Sequence, residues 1–368
     1  MTNRPLRIGI DGTLFREQPR GHSLYAMHLF HALPSFLPDA QFFLYTPSPL
    51  ELAKFPGKLT QRVDSSWFAK SPVIWQKLAE GKLCRADALD VFWSPYVFLP
   101  KLPRDLPAAV TVYDFVHEVA PDSFHWLHAL AFRLFFNRDL KRAQSIITIS
   151  GGTQQRIRNR FGRESIVVLP GLDERFQKPS DAQLAQVRQE YALDRPYLLN
   201  VATWDPRKNV ATLIKAFLAM KEANELPDYQ LVLVGRKESR FAEIEQLLQR
   251  DGGQHLRHLG YVADGHLPAL YGGAKLFVFP SLYEGYGMPA MESRACGTRV
   301  VTTDLAEIRE AGGQDSIYIE PTAAGIRAGI LEGLLRNSQE SLPSPVAPSW
   351  HQSAGILAAE LQRLAGRG

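Results

Sequence analysis

The feature that most constrains the fold of this chain is an alternation of short apolar runs with longer segments of helical periodicity. Strands this short and this apolar, separated by helices, indicate parallel sheets buried on both faces. Two consecutive sets of about six strands predict two doubly wound α/β domains. The predicted strands are Leu6–Ile10, Gln41–Tyr45, Val91–Ser94, Ala109–Tyr113, Ser145–Ile149, Ile166–Leu169, Tyr197–Val201, Gln230–Val234, Leu256–Gly260, Leu276–Phe279, Arg299–Thr302 and Ser316–Ile319.

Proline-containing stretches divide this pattern. The segment Pro170–Pro196 begins with Pro-Gly and continues into a polar stretch, as expected at a domain junction. We therefore predict one domain over residues 1–175 and a second over residues 176–345. After a second irregular stretch, Trp350–Leu364 has the pattern of an amphipathic helix, so residues 346–368 form a separate C-terminal element.

Composition limits the class of protein. The chain has 368 residues, 45% of them hydrophobic, and can bury two cores. Its 42 basic and 38 acidic residues permit contact with nucleotide phosphate or anionic lipid without requiring either. No run approaches the roughly 18 apolar residues that span a bilayer, and the N-terminus lacks a secretory pattern. Cys84 and Cys296 lie far apart, so we expect a reduced, cytoplasmic protein, soluble or on a membrane surface.

The segment Phe279–Thr298 places two carboxylates around a glycine-rich turn. Glu284 lies in the turn, and Glu292 lies about one turn into a helix that we expect to begin near Met288. Pro289 suits the first position of that helix because its missing N–H would have had no partner there. The free N–H groups of the helix start would form an anion site, and the carboxylates would accept hydrogen bonds from sugar hydroxyls. Two isolated acids are, by contrast, more often solvated surface residues.

A longer motif surrounds these two acids. Phe279-Pro280-Ser281-x-x-Glu284-Gly-x-Gly-x-Pro289-x-x-Glu292, followed by Cys296-Gly297-Thr298, resembles the signature of family 4 retaining glycosyltransferases of the GT-B fold, in which seven residues also separate the acids. The resemblance extends from Leu6 to about Leu335. It implies a nucleotide-sugar donor in a cleft between two domains, and a last helix that crosses back to the first domain.

The resemblance also assigns roles to this segment. Glu284 would hold the hydroxyls of the donor sugar near the reacting carbon, and Glu292 would hold the ribose hydroxyls. The remaining donor contacts that the resemblance implies here are Gly285, Tyr286, Gly287 and Met288.

A second segment, Asn200–Asn209, resembles the phosphate-clamping segment of the same family. Lys208 and Arg207 would neutralise the diphosphate as it leaves. The usual arginine of the family falls on Thr203 here, so Arg207 is expected to compensate. Without the resemblance, an exposed basic pair would be the simpler interpretation.

Two further stretches resemble the part of the family that surrounds the nucleotide. Leu231–Arg236 resembles the strand and glycine turn beneath it, which assigns Gly235. Leu267–Tyr271 resembles part of the nucleobase region, and we expect the backbone of Tyr261 and Val262 to face the base.

In the first domain the resemblance is weaker. Gly21 lies in the loop after the first strand, where the family usually has more glycine, and is a candidate lip of the site. The family commonly reads His-Asp where this chain has Tyr113 and Asp114, and the histidine lies near the transferred sugar. Asp114 fits the pattern, and His117 is the candidate replacement for the missing imidazole. Each of these residues could equally be structural.

An acceptor surface is suggested by a basic run between Arg133 and Arg163, which follows an aromatic stretch, Phe124–Phe136. Such a pattern can dock on an anionic bilayer, and the basic residues can meet a lipid diphosphate. The alternative, which we favour for the aromatic residues, is a buried helix followed by a solvated basic one. Trp67–Lys70 presents a weaker case of the same kind.

The sequence therefore predicts a retaining hexosyltransferase, with mannose from GDP-mannose as the best candidate donor by resemblance alone. The acceptor would be a saccharide or a polyprenyl-diphosphate-linked saccharide in the synthesis of a bacterial surface polysaccharide, with the protein cytoplasmic or peripheral on the inner face of the plasma membrane. No metal, other cofactor or nucleic acid is expected, since no acidic metal cradle is visible. A sugar-nucleotide epimerase, a non-catalytic partner subunit and a phosphorylase remain alternatives. The predicted catalytic residues are Glu284, Lys208, Arg207, Asp114 and His117.

Overall fold

The chain folds as two compact units. The first combines Met1–Gly171 with Pro348–Gly368, and the second is Leu172–Ala347. The sequence-based boundaries, 175/176 and 345/346, differ from these by a few residues. The computed structural model describes residues 4–16, 21–52, 55–119, 126–236, 242–337 and 347–367.

A seven-stranded sheet forms the centre of the first unit, in the order β3-β2-β1-β4-β5-β6-β7. Its described strand pairs are all parallel. The strands are β1 Arg7–Asp11, β2 Gln41–Thr46, β3 Lys58–Val63, β4 Val91–Ser94, β5 Ala108–Val112, β6 Ser145–Thr148 and β7 Ile166–Val167. The helices are α1 His22–Phe36, α2 Pro72–Trp75, α3 Gly81–Ala86, α4 Val116–Val119, α5 Trp126–Arg142, α6 Gly151–Phe161 and, at the C-terminus, α14 Trp350–Leu364, with a π-helical segment over Gln76–Glu80.

A six-stranded parallel sheet forms the centre of the second unit, in the order β10-β9-β8-β11-β12-β13. One face is covered by α8, α9 and α13, and the other by α7, α10, α11 and α12, which gives two apolar cores. The strands are β8 Tyr197–Val201, β9 Gln230–Val234, β10 Leu256–Gly260, β11 Leu276–Phe279, β12 Val300–Thr303 and β13 Ile317–Ile319. The helices are α7 Asp181–Glu190, α8 Val210–Glu222, α9 Ala242–Asp251, α10 Leu267–Gly273, α11 Met288–Ala295, α12 Ala306–Gly312 and α13 Ala323–Asn337.

The predicted C-terminal helix is α14, which packs on the first unit. Its start is fixed by a capping box in which the Ser349 hydroxyl accepts from the Gln352 backbone N–H. The Trp350 ring stacks on His28 with ring centroids 4.4 Å apart, and Ser353 Oγ donates to the Leu169 carbonyl oxygen at 2.6 Å. Of the helices that the structure describes, none is both long enough and apolar enough to cross a membrane.

Candidate functional site

Two loops of the second unit meet where its strand order reverses. Strand β8 lies next to β11, and the chain winds outward from this pair in both directions. The loop after β8 carries Lys208, and the loop after β11 carries Glu284. Crevices at the carboxyl ends of strands beside such a reversal are the usual ligand sites of doubly wound sheets. The topology therefore places both predicted motifs at the most favourable position for a ligand.

The two loops are joined by an ion pair. Lys208 Nζ donates to Glu284 Oε1 at 2.6 Å, and both side chains are largely buried. The backbone also connects the loops, because the Leu282 N–H donates to the Arg207 carbonyl oxygen at 2.6 Å. The predicted clamp lysine and the predicted sugar-binding glutamate therefore occupy one site.

A short 3₁₀ turn, Pro206–Lys208, presents the basic pair. Asp205 caps this turn by accepting from the Arg207 backbone N–H at 2.9 Å, and its carboxylate also accepts from the Arg207 guanidinium, with Nη2 to Oδ2 at 2.8 Å. Lys208 Nζ lies 5.4 Å from the centroid of the Phe279 ring. Lys208 thus points to the acid loop, whereas the Arg207 guanidinium is engaged by Asp205.

Helix α11 begins as the sequence predicts. Gly287 precedes it with φ +99°, a left-handed conformation that favours glycine, and Pro289 occupies the first turn. Tyr286 is buried, and its hydroxyl contacts the sulfur of Met291 at 3.5 Å. The side chain of Tyr286 is therefore packed inside the second unit. Ser281 Oγ is buried and finds no hydrogen-bond partner among the described residues.

Glu292 is the fifth of the eight residues of α11, and its side chain is partly buried. The hydroxyl of Tyr271, a fully buried residue of α10, donates to Glu292 Oε2 at 3.0 Å. Burial raises the pKa of Glu292 to about 7, and the hydrogen bond from Tyr271 opposes that rise. The predicted ribose-binding acid is thus poised between its neutral and ionised forms near physiological pH.

Gly235, in the turn after β9, is closely packed, whereas Tyr261, just after β10, is exposed to solvent. Gly235 has φ +140°, and a Cβ atom there would lie 1.9 Å from the Ala202 carbonyl oxygen. The position therefore requires glycine for packing, whatever it binds. Tyr261 is 66% exposed, with the Arg236 guanidinium 5.2 Å from its ring centroid, while Val262 is buried.

Comparison with known proteins identifies the second unit. Residues 184–337 match the family model of the glycosyl transferases group 1. These residues of the second unit are therefore similar to the glycosyl transferases group 1. The relatives include the O-antigen chain mannosyltransferase B of Escherichia coli, 29% identical over 64% of this chain and 64% of that protein. The O-antigen chain mannosyltransferase RfbU of Salmonella typhimurium is 24% identical over 58% of this chain and 56% of that protein. The predicted resemblance to bacterial mannosyltransferases is therefore confirmed, although the matches span less than two thirds of these relatives.

Solved structures extend the likeness to both units. A sucrose-phosphate synthase from Thermosynechococcus elongatus matches with a TM-score of 0.68 and 17% identity, covering 98% of this chain and 97% of that one. WaaG, a glycosyltransferase involved in lipopolysaccharide biosynthesis, matches with a TM-score of 0.65 and 15% identity, covering 98% of each chain. The predicted GT-B fold, with two parallel-sheet α/β units, is thereby confirmed.

The predicted site residues in the first unit of this GT-B protein lie in different surroundings. Gly21 precedes α1 with φ +46°, and among the described residues no atom beyond its chain neighbours lies within 4 Å of its Cβ position. Asp114 caps α4, where its Oδ1 accepts from the Val116 N–H at 2.9 Å. Tyr113 is buried at the end of β5, and the exposed imidazole of His22 stacks on its ring at 4.1 Å.

The structure places His117, the candidate replacement for the missing imidazole, among aromatic side chains. Its ring packs between Phe132 and Phe136, with centroid distances of 4.3 and 4.5 Å, and only 8% of the side chain is exposed. Burial lowers the pKa of His117 to about 4, so the ring is neutral at physiological pH. His117 is therefore packed in the core of the first unit, and its role in place of the missing imidazole stays a prediction.

Two contacts at these sites do not follow from the motifs, although Tyr271 itself lies in the stretch Leu267–Tyr271 that resembles the nucleobase region. Tyr271 holds Glu292 in the second unit, and His22 is the exposed imidazole above Tyr113 in the first. A motif reports residues close in sequence, whereas both of these contacts depend on packing between separate elements. In the described part of the chain, no group of three or more His, Cys, Asp or Glu residues could hold a metal ion.

Proposed function

We propose that this protein transfers a hexose from a nucleoside diphosphate sugar to a hydroxyl group of a saccharide acceptor, with retention at the anomeric carbon. The observation that carries the proposal is the contact between Lys208 and Glu284 at the reversal point of the second sheet. A cation and a carboxylate on adjacent loops can meet the diphosphate and the sugar of one donor molecule at the same time.

In this reaction the bond between the anomeric carbon and the leaving phosphate oxygen breaks, and a bond to the acceptor oxygen forms on the same face. The acceptor proton passes to the leaving phosphate. Lys208 and the N–H groups at the start of α11 stabilise the charge that develops on the diphosphate, and Arg207 adds to this field. Glu284 holds the sugar hydroxyls, and Glu292 holds the ribose. No residue needs to act as a covalent nucleophile.

Mannose from GDP-mannose is the donor that we propose, and a bacterial surface polysaccharide is the proposed product. The support is the printed function of the relatives, two of which are O-antigen chain mannosyltransferases. The basic residues of the clamp supply the charge that a divalent cation would otherwise provide, so we propose that the reaction needs no metal.

A screen of nucleotide sugars by thermal shift tests the donor, because a ligand that binds the native state raises its melting temperature by mass action. We expect GDP-mannose to give the largest shift, and mannose transfer to a lipid-linked saccharide to follow. Turnover of the donor to an epimer without acceptor would favour an epimerase instead. Binding without turnover in any acceptor mixture would favour a non-catalytic partner subunit.

We also propose that the first unit contacts the inner face of the plasma membrane. The aromatic residues Phe132 and Phe136 of α5 are buried, as the favoured interpretation predicts, but Leu130 and Leu134 on the opposite face are exposed. Residues 124 and 125 of the predicted aromatic stretch lie outside the described residues. The single acid of α5, Asp139, is buried and ion-paired, so the exposed face combines leucine with cationic side chains: Arg133, Arg138, Lys141 and Arg142.

Flotation with vesicles tests this membrane surface. Leu130→Asp combined with Leu134→Asp should weaken binding to phosphatidylglycerol-containing vesicles by at least about tenfold, because two apolar anchors are replaced by charges that anionic lipid repels. Leu331→Asp with Leu335→Asp is a matched control, since these leucines are also exposed and four residues apart, on α13 of the second unit. Equal flotation of both double variants and the wild type would contradict the proposed surface.

A further inference from the structure

Tyr271 contacts the residue that we assign to the donor ribose. Its ring is buried in the core of the second unit, against Phe176 and Phe277, with its hydroxyl 3.0 Å from Glu292 Oε2. Because a tyrosine hydroxyl has one proton, and the acceptor here is a carboxylate, this proton is directed to Glu292. The contact is therefore a fixed hydrogen bond between α10 and α11.

The backbone of Tyr271 contacts the far end of α11. Thr298 Oγ1 donates to the Tyr271 carbonyl oxygen at 2.6 Å. Thr298 follows α11 in a tight turn, where its own N–H donates to the Ser293 carbonyl oxygen at 3.1 Å. One buried residue thus holds both the side chain of Glu292 and the turn that ends its helix.

We propose that Tyr271 is a positioning residue for the donor nucleotide, which holds α11 in place and keeps the Glu292 carboxylate oriented to accept the ribose hydroxyls. This inference rests on the proposed function, because the ribose is the ligand assigned to Glu292 there. Tyr271 acts through Glu292 and is itself enclosed by the core.

The ionisation of Glu292 makes this role measurable. A carboxylate accepts hydrogen bonds from two hydroxyls, whereas a neutral carboxyl group uses one oxygen as a donor. Since the pKa of Glu292 is about 7, nucleotide affinity should increase as the pH rises through 7. This carboxyl group also interacts electrostatically with the charged or titratable groups of Arg175, Asp173, Asp264 and Cys296.

The test compares Tyr271→Phe with Tyr197→Phe in the full chain. Tyr197 is an equally buried tyrosine of the same unit, but its hydroxyl donates to the Leu270 carbonyl oxygen, at 2.7 Å, so its loss removes no hydrogen bond to Glu292. Loss of a hydrogen bond to a carboxylate lowers its ionisation constant roughly tenfold, because the charged form loses more stabilisation than the neutral form. Loss of the Tyr271 hydroxyl should therefore weaken binding of GDP or UDP about fivefold at pH 7, and by much less at pH 9, where Glu292 ionises in both proteins.

Isothermal titration calorimetry with GDP and UDP, from pH 6 to pH 9, measures the dissociation constants of the wild type and the variants. A pH-dependent loss in Tyr271→Phe, absent from Tyr197→Phe, supports the inference, as does weak, pH-independent binding by Glu292→Gln. If both phenylalanine variants match the wild type at every pH while the wild type binds a diphosphate, the inference fails and the proposed function stands. If the wild type binds neither diphosphate, the proposed function fails and the inference fails with it.

Discussion

Replacement of Lys208 by alanine is expected to lower the turnover of sugar transfer by about 10²-fold or more while the protein remains folded. The Nζ atom forms an ion pair with Glu284 at 2.6 Å, and in the proposed reaction it stabilises the charge that builds up on the leaving diphosphate. Stabilisation of this kind is stronger in the transition state than in the ground state, so the effect should appear in kcat more than in KM.

A matched lysine gives the control for this experiment. Lys215 also forms an ion pair at 2.6 Å, with Glu243, but both side chains are more than half exposed on the helices α8 and α9. Exposed pairs contribute little, so Lys215→Ala should leave both turnover and melting temperature nearly unchanged. Steady-state kinetics with circular dichroism melts of the two variants make the comparison. Wild-type turnover in Lys208→Ala would remove the clamp from the mechanism.

Replacement of Gly235 by alanine is expected to unfold or severely destabilise the second unit. A Cβ atom at this position would lie 1.9 Å from the Ala202 carbonyl oxygen and 2.7 Å from its carbonyl carbon, and backbone atoms cannot move aside as a flexible side chain can. The φ of +140° adds backbone strain for any residue with a Cβ. We expect a loss in unfolding free energy of more than about 4 kcal/mol, in the range reserved for disrupted cores.

A comparison with Gly252 distinguishes the two causes of this destabilisation, the clash with Ala202 and the strained backbone. Gly252 also has a positive φ, +60°, but no atom of the described residues beyond its chain neighbours lies within 4 Å of its Cβ position. Gly252→Ala should therefore cost only about 1–2 kcal/mol, from the left-handed backbone alone. Urea unfolding, followed by hydrogen exchange of residues 172–347, measures both variants. Equal stability of the two alanine variants would show that the contact with Ala202 does not constrain the turn.

The sequence predicts the sheets well because their central strands are buried on both faces, and an apolar run of four or five residues shows this directly. It misses β3, Lys58–Val63, because this edge strand alternates exposed polar side chains with half-buried ones. Its composition is that of a loop, and only its pairing with β2 makes it a strand.

The contacts of the candidate site can also be predicted only in part from the sequence. Lys208 and Glu284 can be predicted to meet, because each follows a strand and the reversal point brings these strands together. The packing of His117 cannot be predicted from the residues around it in sequence, because Phe132 and Phe136 contact its ring from a helix that begins later in the chain. Tyr271 likewise reaches Glu292 only through the packing of α10 on α11.

A crystal structure of this protein with GDP or UDP tests most directly whether the second unit binds a donor diphosphate between its two loops. The account predicts phosphate oxygens within hydrogen-bond distance of Lys208 Nζ and of the first N–H groups of α11, with the ribose hydroxyls on Glu292. A diphosphate bound elsewhere, with the Lys208–Glu284 pair unchanged at 2.6 Å, would contradict it.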